Sequence, residues 1–228
     1  MRINHVFAFH ARNLMASKRK KFGLDDAYSV ESPDDNIKLY RDWADTYESE
    51  FVATRGYVYP RKIAELYARH ALPTDSPVLD VGAGTGLVAE ALVRQTSEPI
   101  DGIDISEEML NVSRSKGIYR NVIKADLTAA LDLDDDIYGA VVSAGTFTHG
   151  HVGPEALGEL LRITKEGALF MLGINAQAFD RYGFGSTIAA LNADGKIRDL
   201  KFFRVNYYEK ADDEHGSDQG LTACFRAV

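Results

Sequence analysis

The sequence predicts an α/β fold: a Rossmann-like, doubly wound sheet of seven mostly parallel strands, with helices on both faces and a C-terminal antiparallel hairpin. Two observations predict it. Strand-like apolar runs alternate with helical runs along most of the chain, and a glycine-rich turn joins the first strand to the helix after it. Such alternation implies a parallel sheet, because each crossover helix covers one face of it. The 228 residues suffice for one such domain with a large core.

Two helices are predicted before the sheet. Between residues 34 and 51, apolar side chains recur at steps of three and four, as on one face of a helix. Asp34, Asp35 or Asn36 can cap the start of this helix, and a second helix is expected after Pro60. The apolar stripe of the first helix consists of Ile37, Tyr40, Ala44, Tyr47 and Phe51.

The remaining elements follow from short apolar runs and the turn residues between them. The predicted strands are residues 78–81, 100–105, 121–125, 138–143 and 168–174, then a terminal pair at 197–208 and 221–227. The predicted helices of the sheet region are residues 86–94, one capped by Ser106, 154–165 and 179–191. The connection 210–220 within the terminal hairpin is acidic, and we expect it to be loose.

The domain boundary is expected near residue 34. We expect residues 1–33 to be an extension, mobile in part, and residues 34–228 to form one domain whose residues 34–72 make a lid. The densest charge of the extension follows its short apolar part, unlike the order in a secretory signal. We therefore expect a cytoplasmic protein. No apolar run approaches the roughly 20 residues that a membrane helix needs, so no membrane partner is expected.

The glycine-rich turn reads Gly82-Ala83-Gly84-Thr85-Gly86 and follows Asp80 at the end of the first strand. Glycines there permit tight backbone angles and let a ligand approach the main chain closely. A dinucleotide fingerprint would require glycine at position 87, which is Leu87. An acid two residues before the first glycine suits a ligand with an ammonium and a sulfonium better than one with a pyrophosphate.

Two further acids end the next two predicted strands. Asp104 follows the second strand, and its carboxylate can accept hydrogen bonds from both hydroxyls of a ribose. Asp126 follows the third strand and can accept from an adenine amino group, with the backbone N–H of Leu127 beside it. The carboxyl ends of parallel strands meet at one edge of a sheet, where ligands bind. These acids are therefore expected to share one nucleoside site.

The motifs VLDVGAGTG, GIDIS, KADL and VVSAGTF resemble those of class I S-adenosylmethionine-dependent methyltransferases. The resemblance spans residues 34–228. It is closest to a small single-domain group of the methyltransferase-like protein 27 type, in which a Tyr-x-x-Trp-Ala-x-x-Tyr helix precedes the first strand. Here that helix carries Tyr40, Trp43, Ala44 and Tyr47.

The resemblance implies S-adenosylmethionine as cofactor. It implies that Asp80, Tyr47 and the glycine turn hold the amino-acid end, Asp104 the ribose, and Asp126 with Leu127 the adenine. Ser143 and Ala144, after the fourth strand, would lie beside the transferred methyl group. The full implied set is Tyr47, Asp80, Gly82, Ala83, Gly84, Gly86, Asp104, Ile105, Met109, Asp126, Leu127, Ser143 and Ala144.

The segment after the fourth strand carries the candidate catalytic residues. A base is needed only if the acceptor starts protonated, and His149 or His151 can remove a proton near neutral pH. The same two histidines can instead be surface or loop-anchoring residues. A metal site is not expected, because no third and fourth ligand is nearby. We expect the acceptor pocket to form between the N-terminal helix, the 145–153 loop and the 175–195 segment, with Tyr57 and Tyr59 as possible lining residues.

The expected function is methyl transfer to a small-molecule acceptor by a monomer or homodimer. The net charge of −8 disfavours nucleic-acid binding. The amino-methylating Asn/Asp-Pro-Pro-aromatic turn and the Pro-Cys nucleophile of cytosine methylation are both absent; the single cysteine is Cys224. Three alternatives stay open: a cofactor-binding regulatory module without turnover, methylation of a protein acceptor, and a nucleotide-dependent oxidoreductase.

Overall fold

The computed structural model describes residues 22–23, 26–27, 29–30, 32–209 and 216–228. Most of the predicted extension 1–33 lies outside the described residues. Residues 210–215 of the predicted loose connection 210–220 lie outside them as well. Within the described part of the chain, none of the helices combines the length and apolar character needed to span a bilayer.

The strands form one seven-stranded sheet in the order β3-β2-β1-β4-β5-β7-β6. The first five strands pair in parallel, and β7 pairs antiparallel with both β5 and β6. The predicted sheet is thus confirmed. The strands are β1 Val78–Val81, β2 Ile100–Asp104, β3 Asn121–Lys124, β4 Tyr138–Phe147, β5 Thr164–Asn175, β6 Ile197–Asn206 and β7 Gln219–Ala227.

Helices precede the sheet and connect its strands. The α-helices are α1 Pro33–Trp43, α2 Ala53–Arg55, α3 Tyr59–His70, α4 Leu87–Leu92, α5 Glu107–Ser115, α6 Ala156–Arg162, α7 Ala176–Arg181 and α8 Phe184–Ala193. A π-helix, π1, spans Tyr47–Val52.

The N-terminal aromatic stripe is split between two helices, which differs from the single helix expected over residues 34–51. Ser32 caps α1, since its hydroxyl accepts the Asp35 backbone N–H at 3.2 Å. The predicted caps Asp34 and Asp35 instead lie in the first turn of α1, where negative charge suits the positive helix end. The chain then re-enters helical structure as π1. Such π-helical turns recur at functional sites.

The elements around β4 and β5 also differ from the prediction. β4 continues past Ser143 to Phe147 through a register shift, with Gly145 at φ 87°. Helix α6 ends at Arg162, and β5 already begins at Thr164. The single helix expected over residues 179–191 is two helices, α7 and α8. A glycine with positive φ, Gly183, lies between them.

The core lies in two layers, one on each face of the sheet. Alternation along β5 divides its side chains between them, with Met171 in the layer under the N-terminal helices and Phe170 in the opposite layer. Helix α3 belongs to the first layer, because Ile63, Leu66 and Tyr67 are buried there. Cys224 is buried in the same layer.

Candidate functional site

A cleft of about 910 Å³, counting its open mouth, lies at the carboxyl ends of β1, β2, β3 and β4. This is the edge at which an open parallel sheet binds ligands. Ten of the thirteen residues predicted to hold the cofactor line it. They are Tyr47, Gly82, Ala83, Gly84, Asp104, Ile105, Met109, Asp126, Leu127 and Ala144.

The turn between β1 and α4 forms the floor of the cleft. Gly82, Gly84 and Gly86 have φ of 66°, 52° and 92°, values that residues with a Cβ rarely adopt. A Cβ added at Gly82 would collide with the Thr146 side chain. At Gly84, by contrast, no atom lies closer than 4.0 Å to an added Cβ, so this glycine keeps the cleft open at its floor.

One polar atom of this floor has no partner. Thr85 lines the cleft, and its side-chain oxygen is buried without a hydrogen bond among the described residues. A buried hydroxyl without a partner costs about 1–3 kcal/mol. A ligand that reaches the turn with a charged or polar group would remove this cost.

Asp104 stands at the end of β2 with both carboxylate oxygens fixed. Its Oδ2 accepts the backbone N–H of Gly84 at 2.9 Å, and its Oδ1 accepts that of Ser106 at 2.8 Å. Burial raises the pKa of Asp104, while hydrogen bonds from backbone N–H groups oppose the rise. An ionised carboxylate has about four acceptor sites, so Asp104 can still accept from two ligand hydroxyls.

Asp126 and Leu127 form the far wall of the cleft. The Asp126 Oδ1 accepts from the Thr128 backbone N–H at 2.8 Å and from its hydroxyl at 2.7 Å. In the described part of the chain, Oδ2 of Asp126 and the backbone N–H of Leu127 make no hydrogen bond. An acceptor and a donor are thus available side by side.

Asp80 does not line the cleft, so its expected contact with the ligand stays a prediction. It is fully buried in β1, and its Oδ2 accepts the Tyr119 hydroxyl at 2.6 Å. Burial raises the pKa of Asp80 to about 7, and the nearby charge of Asp104 adds to the rise. The side chain alternation of β1 directs Asp80 to the layer where Tyr119 lies. Asp80 therefore supports the glycine turn from behind.

Gly86 and Ser143 also lie behind the wall of the cleft instead of in it. Gly86 caps α4 and packs against Ile118 and Tyr119. The Ser143 hydroxyl donates to the Val81 carbonyl at 2.8 Å, which ties β4 to the end of β1. The Thr146 hydroxyl donates to the same carbonyl at 2.9 Å. Of the two residues expected beside the methyl group, Ser143 is thus engaged by the backbone, whereas Ala144 lines the cleft.

Further residues outside the predicted cofactor set also line the cleft. They lie on the glycine helix, on the loop after β3, on the end of β4 and on the N-terminal segment. These residues are Asn36, Tyr40, Tyr57, Pro60, Thr85, Leu87, Val88, Thr128, Gly145, Thr146 and Val152. Thr85, Gly145 and Thr146 lie within the quoted motifs, and Val152 lies in the 145–153 loop expected to border the acceptor pocket. Tyr40 and Tyr57 had been marked as part of the aromatic helix and as a possible pocket residue.

The two candidate histidines have different positions. His151 lines the cleft, whereas His149 is not part of its wall and hydrogen-bonds Gln177. The His151 Nδ1 lies 2.6 Å from the His149 carbonyl, and its Nε2 lies 3.3 Å from the Tyr40 hydroxyl. Because a carbonyl only accepts, Nδ1 carries the proton and Nε2 is the acceptor. Burial lowers the pKa of His151, which keeps it neutral at pH 7.

A second cavity of about 560 Å³ adjoins the cleft and shares Tyr40, Tyr47, Tyr57, Gly145 and His151 with it. It lies where the acceptor pocket was expected, but its wall differs. The 175–195 segment contributes only Asn175, and Tyr207 and Tyr208 after β6 close that side instead.

Tyr59 and Trp43 are both buried, but they differ in their relation to the cavities. Tyr59 lines neither cavity, because it is buried and its hydroxyl lies 3.3 Å from that of Thr222. Trp43 is a core residue that also lines the second cavity. Among the described residues, no group of three or more metal-ligating side chains is found.

The chain is similar in sequence to known methyltransferases. Residues 79–172 match the family model described as a methyltransferase domain. The chain is 30% identical over 149 residues to human methyltransferase-like protein 27, covering 64% of this chain and 60% of that protein. It is 29% identical over 139 residues to methyltransferase GfsG of Streptomyces halstedii, covering 58% of this chain and 48% of that protein. The chain thus spans about half to three fifths of these two relatives.

Solved structures share the fold at low sequence identity. The [4+2]-cyclase SpnF superimposes with a TM-score of 0.64 and 17% identity, covering 87% of this chain and 97% of that one. A S-adenosylmethionine-dependent methyltransferase from Aquifex aeolicus gives a TM-score of 0.56 and 20% identity, covering 84% of this chain and 98% of that one.

Proposed function

We propose that this chain, which is a class I S-adenosylmethionine-dependent methyltransferase by its domain match and fold, transfers a methyl group to a small-molecule acceptor. The single observation that carries the proposal is the set of uncommitted polar groups around the cleft. Asp104 has free acceptor sites, Asp126 and Leu127 offer an acceptor and a donor, and Thr85 has an unpartnered hydroxyl.

These groups fit S-adenosylmethionine. In the proposal, Asp104 accepts from the ribose hydroxyls, and Asp126 with Leu127 pairs with the adenine edge. Ile105 and Met109 supply apolar surface along the same wall. Thr85 and the open floor at Gly84 receive the amino-acid end. When bound, the cofactor supplies a methyl group already activated by a sulfonium.

His151 is the proposed base. Its Nε2 is unprotonated and lies in the wall shared by the two cavities, so it can accept the proton of an acceptor held in the second cavity. Aligning the nucleophile and excluding water are the remaining tasks. The aromatic residues of α1 and π1 are proposed to do this as part of the lid.

A small acceptor is favoured over a protein acceptor because the second cavity is walled by buried side chains such as Trp43 and Phe51. A [4+2]-cyclase shares this fold, so the fold is compatible with reactions other than methyl transfer. Turnover must therefore be measured separately from binding.

The proposal is tested by isothermal titration calorimetry with S-adenosylhomocysteine. We expect Asp104→Ala to weaken binding about 10- to 100-fold, because hydrogen bonds to a charged acceptor contribute about 1.5–3 kcal/mol each. Asp132→Ala removes an exposed acid outside the cleft and should bind like the parent chain. Thermal melting of each variant checks that it is folded.

Two outcomes would contradict the proposal. One is no binding of S-adenosylhomocysteine by the folded protein. The other is a larger thermal stabilisation by NAD than by S-adenosylhomocysteine, which would favour the oxidoreductase alternative. Binding without methyl transfer to any of a broad set of small molecules would favour the regulatory alternative.

A further inference from the structure

The second cavity has an uncharged and largely aromatic wall. Eight of the fourteen described residues that line it carry aromatic rings of Phe, Tyr or Trp, and none of these fourteen is Asp, Glu, Lys or Arg. Such a wall favours a planar, uncharged molecule that stacks or packs edge-on against the rings.

Trp43 contributes an unpartnered hydrogen-bond donor to this cavity. The side chain is 1% exposed, and its Nε1–H has no hydrogen-bond partner among the described residues. A buried indole N–H normally finds an acceptor. Because the residue lines the cavity, a bound molecule with an oxygen acceptor would satisfy it.

Asn175 contributes a second donor. Its Oδ1 caps α7 by accepting the backbone N–H groups of Gln177 at 2.9 Å and Ala178 at 3.1 Å. These bonds fix the amide so that oxygen faces the helix and Nδ2 is left without a partner among the described residues. The uncommitted groups of Trp43 and Asn175 are thus both donors, which a protonated amine cannot satisfy.

His151, in the wall shared with the cleft, supplies a hydrogen-bond acceptor. Its Nε2 accepts from the Tyr40 hydroxyl at 3.3 Å, a long hydrogen bond that a closer donor can replace. A molecule in the second cavity therefore meets an unprotonated nitrogen on the side of the cleft.

We propose that the second cavity binds an uncharged phenol that also carries a carbonyl or ether oxygen, and that the phenol oxygen is the atom methylated. The hydroxyl donates to His151 Nε2, and the second oxygen accepts from Trp43 or Asn175. This inference rests on the proposed function, and it specifies the acceptor class and the attacked atom.

The phenol O–H proton passes to His151 Nε2, and the oxygen forms a bond to the methyl carbon. The carbon–sulfur bond breaks with its electron pair remaining on sulfur, which becomes a neutral thioether. His151 then releases the proton to solvent.

The test uses the fact that the chain has one tryptophan. The ¹⁵N-labelled protein, saturated with S-adenosylhomocysteine, therefore shows one indole N–H signal in NMR. We expect 4-hydroxyacetophenone to shift this signal downfield in a saturable manner. At the same concentrations, tyramine and 4-hydroxybenzoate, which are a cationic and an anionic phenol, should shift it at least tenfold less.

A matched pair of variants tests the second donor. Asn175→Asp keeps a helix cap of equal quality but replaces the amide donor by a carboxylate. We expect it to bind 4-hydroxyacetophenone at least tenfold more weakly and to bind tyramine better than the parent chain does. Asn192→Asp adds the same charge at an exposed position of α8. It should change the affinity for neither 4-hydroxyacetophenone nor tyramine.

The outcomes separate this inference from the proposed function. If calorimetry shows that S-adenosylhomocysteine binds but no phenol shifts the indole signal, the acceptor class is wrong and the proposed function stands. A stronger response to tyramine than to the ketone in the parent chain would overturn the uncharged class. If S-adenosylhomocysteine does not bind, the proposed function itself fails. Mass-spectrometric detection of 4-hydroxyacetophenone methylated on its phenol oxygen would support both the proposed function and the acceptor class.

Discussion

At the scale of single residues, the most informative position is His151. The His149 carbonyl accepts from Nδ1, so one backbone oxygen decides which ring nitrogen is basic. Burial lowers the pKa of the ring, because the charged form loses solvation. A neutral ring with this tautomer can accept a proton at Nε2 near pH 7.

We expect NMR of ¹⁵N-labelled histidine to show His151 as the Nδ1–H tautomer, with a pKa below its usual value of 6.5. The stability that it contributes as a neutral group is lost as pH falls from 6.5 through the lowered pKa, because the unfolded chain takes up the proton first. His149→Gln assigns the signals and keeps the backbone carbonyl. A His151 ring protonated on Nε2 would contradict the proposed base.

The raised pKa of Asp80 leads us to expect that the free energy of unfolding falls as pH rises. An ion-paired acid, whose pKa is lowered, has the opposite effect. The pKa of Asp80 is raised from 3.8 to about 7 by burial. Between these pH values the folded state keeps a proton that the unfolded state has released, so raising the pH favours unfolding, by up to about 4 kcal/mol. Asp80→Asn should therefore gain stability relative to the parent chain between pH 5 and pH 8.

Urea denaturation at the two pH values measures this difference. Asp132→Asn, at an exposed acid, is the control and should leave the pH dependence unchanged. If Asp80→Asn and the parent chain differ by the same free energy of unfolding at pH 5 and pH 8, Asp80 does not titrate in this range.

At the scale of elements, π1 places Tyr47 in the wall of the cleft. Lys116, at the end of α5, bridges Glu48 of π1 at 2.5 Å and Glu90 of α4 at 3.0 Å. The Lys116 side chain is 16% exposed, so solvent and salt screen these pairs less than they screen surface pairs. One lysine thus ties the segment that carries Tyr47 to two helices of the sheet domain.

Lys116→Met tests this tie. We expect a loss of about 1 kcal/mol in the free energy of unfolding and a several-fold weaker affinity for S-adenosylhomocysteine, because Tyr47 lines the cleft. Calorimetry and urea denaturation measure the two effects. Arg61→Met, which removes an exposed arginine paired with Glu65 and Glu209, should change the affinity little. Equal effects of the two substitutions would contradict the role of Lys116.

At the scale of the whole molecule, one buried ion pair joins the last strand to the N-terminal layer. Arg226 of β7 contacts both carboxylate oxygens of Asp75, at 2.8 and 3.1 Å. Its guanidinium also donates to the carbonyls of Gly167 at 2.8 Å and His70 at 3.0 Å. The Arg226 and Asp75 side chains are 12% and 2% exposed. The end of the chain is thereby fixed to the residues after α3.

We expect Arg226→Met to destabilise the protein by about 3–5 kcal/mol, since it leaves the Asp75 carboxylate buried without compensation. The double variant Arg226→Met/Asp75→Asn should recover part of that loss. Arg198→Met, in an exposed pair with Asp199, should stay within about 0.5 kcal/mol of the parent chain. Urea denaturation provides all three values, and a loss below about 1 kcal/mol for Arg226→Met would contradict the expectation.

The sequence by itself determined the sheet and the floor of the cleft. Apolar periodicity defines strands and helices locally, and alternation of the two implies a parallel sheet. The glycines at 82 and 84 and the acids at 104 and 126 follow strand ends, so topology alone brings them together.

Only the tertiary structure decided which side chains face a ligand. Asp80 and Ser143 stand in the motif but are used by Tyr119 and the Val81 carbonyl. The second cavity joins Trp43 to Tyr207, far away in the sequence. The physical reason is that backbone preferences act over a few residues. The partner of a buried polar group, in contrast, is set by packing between distant elements.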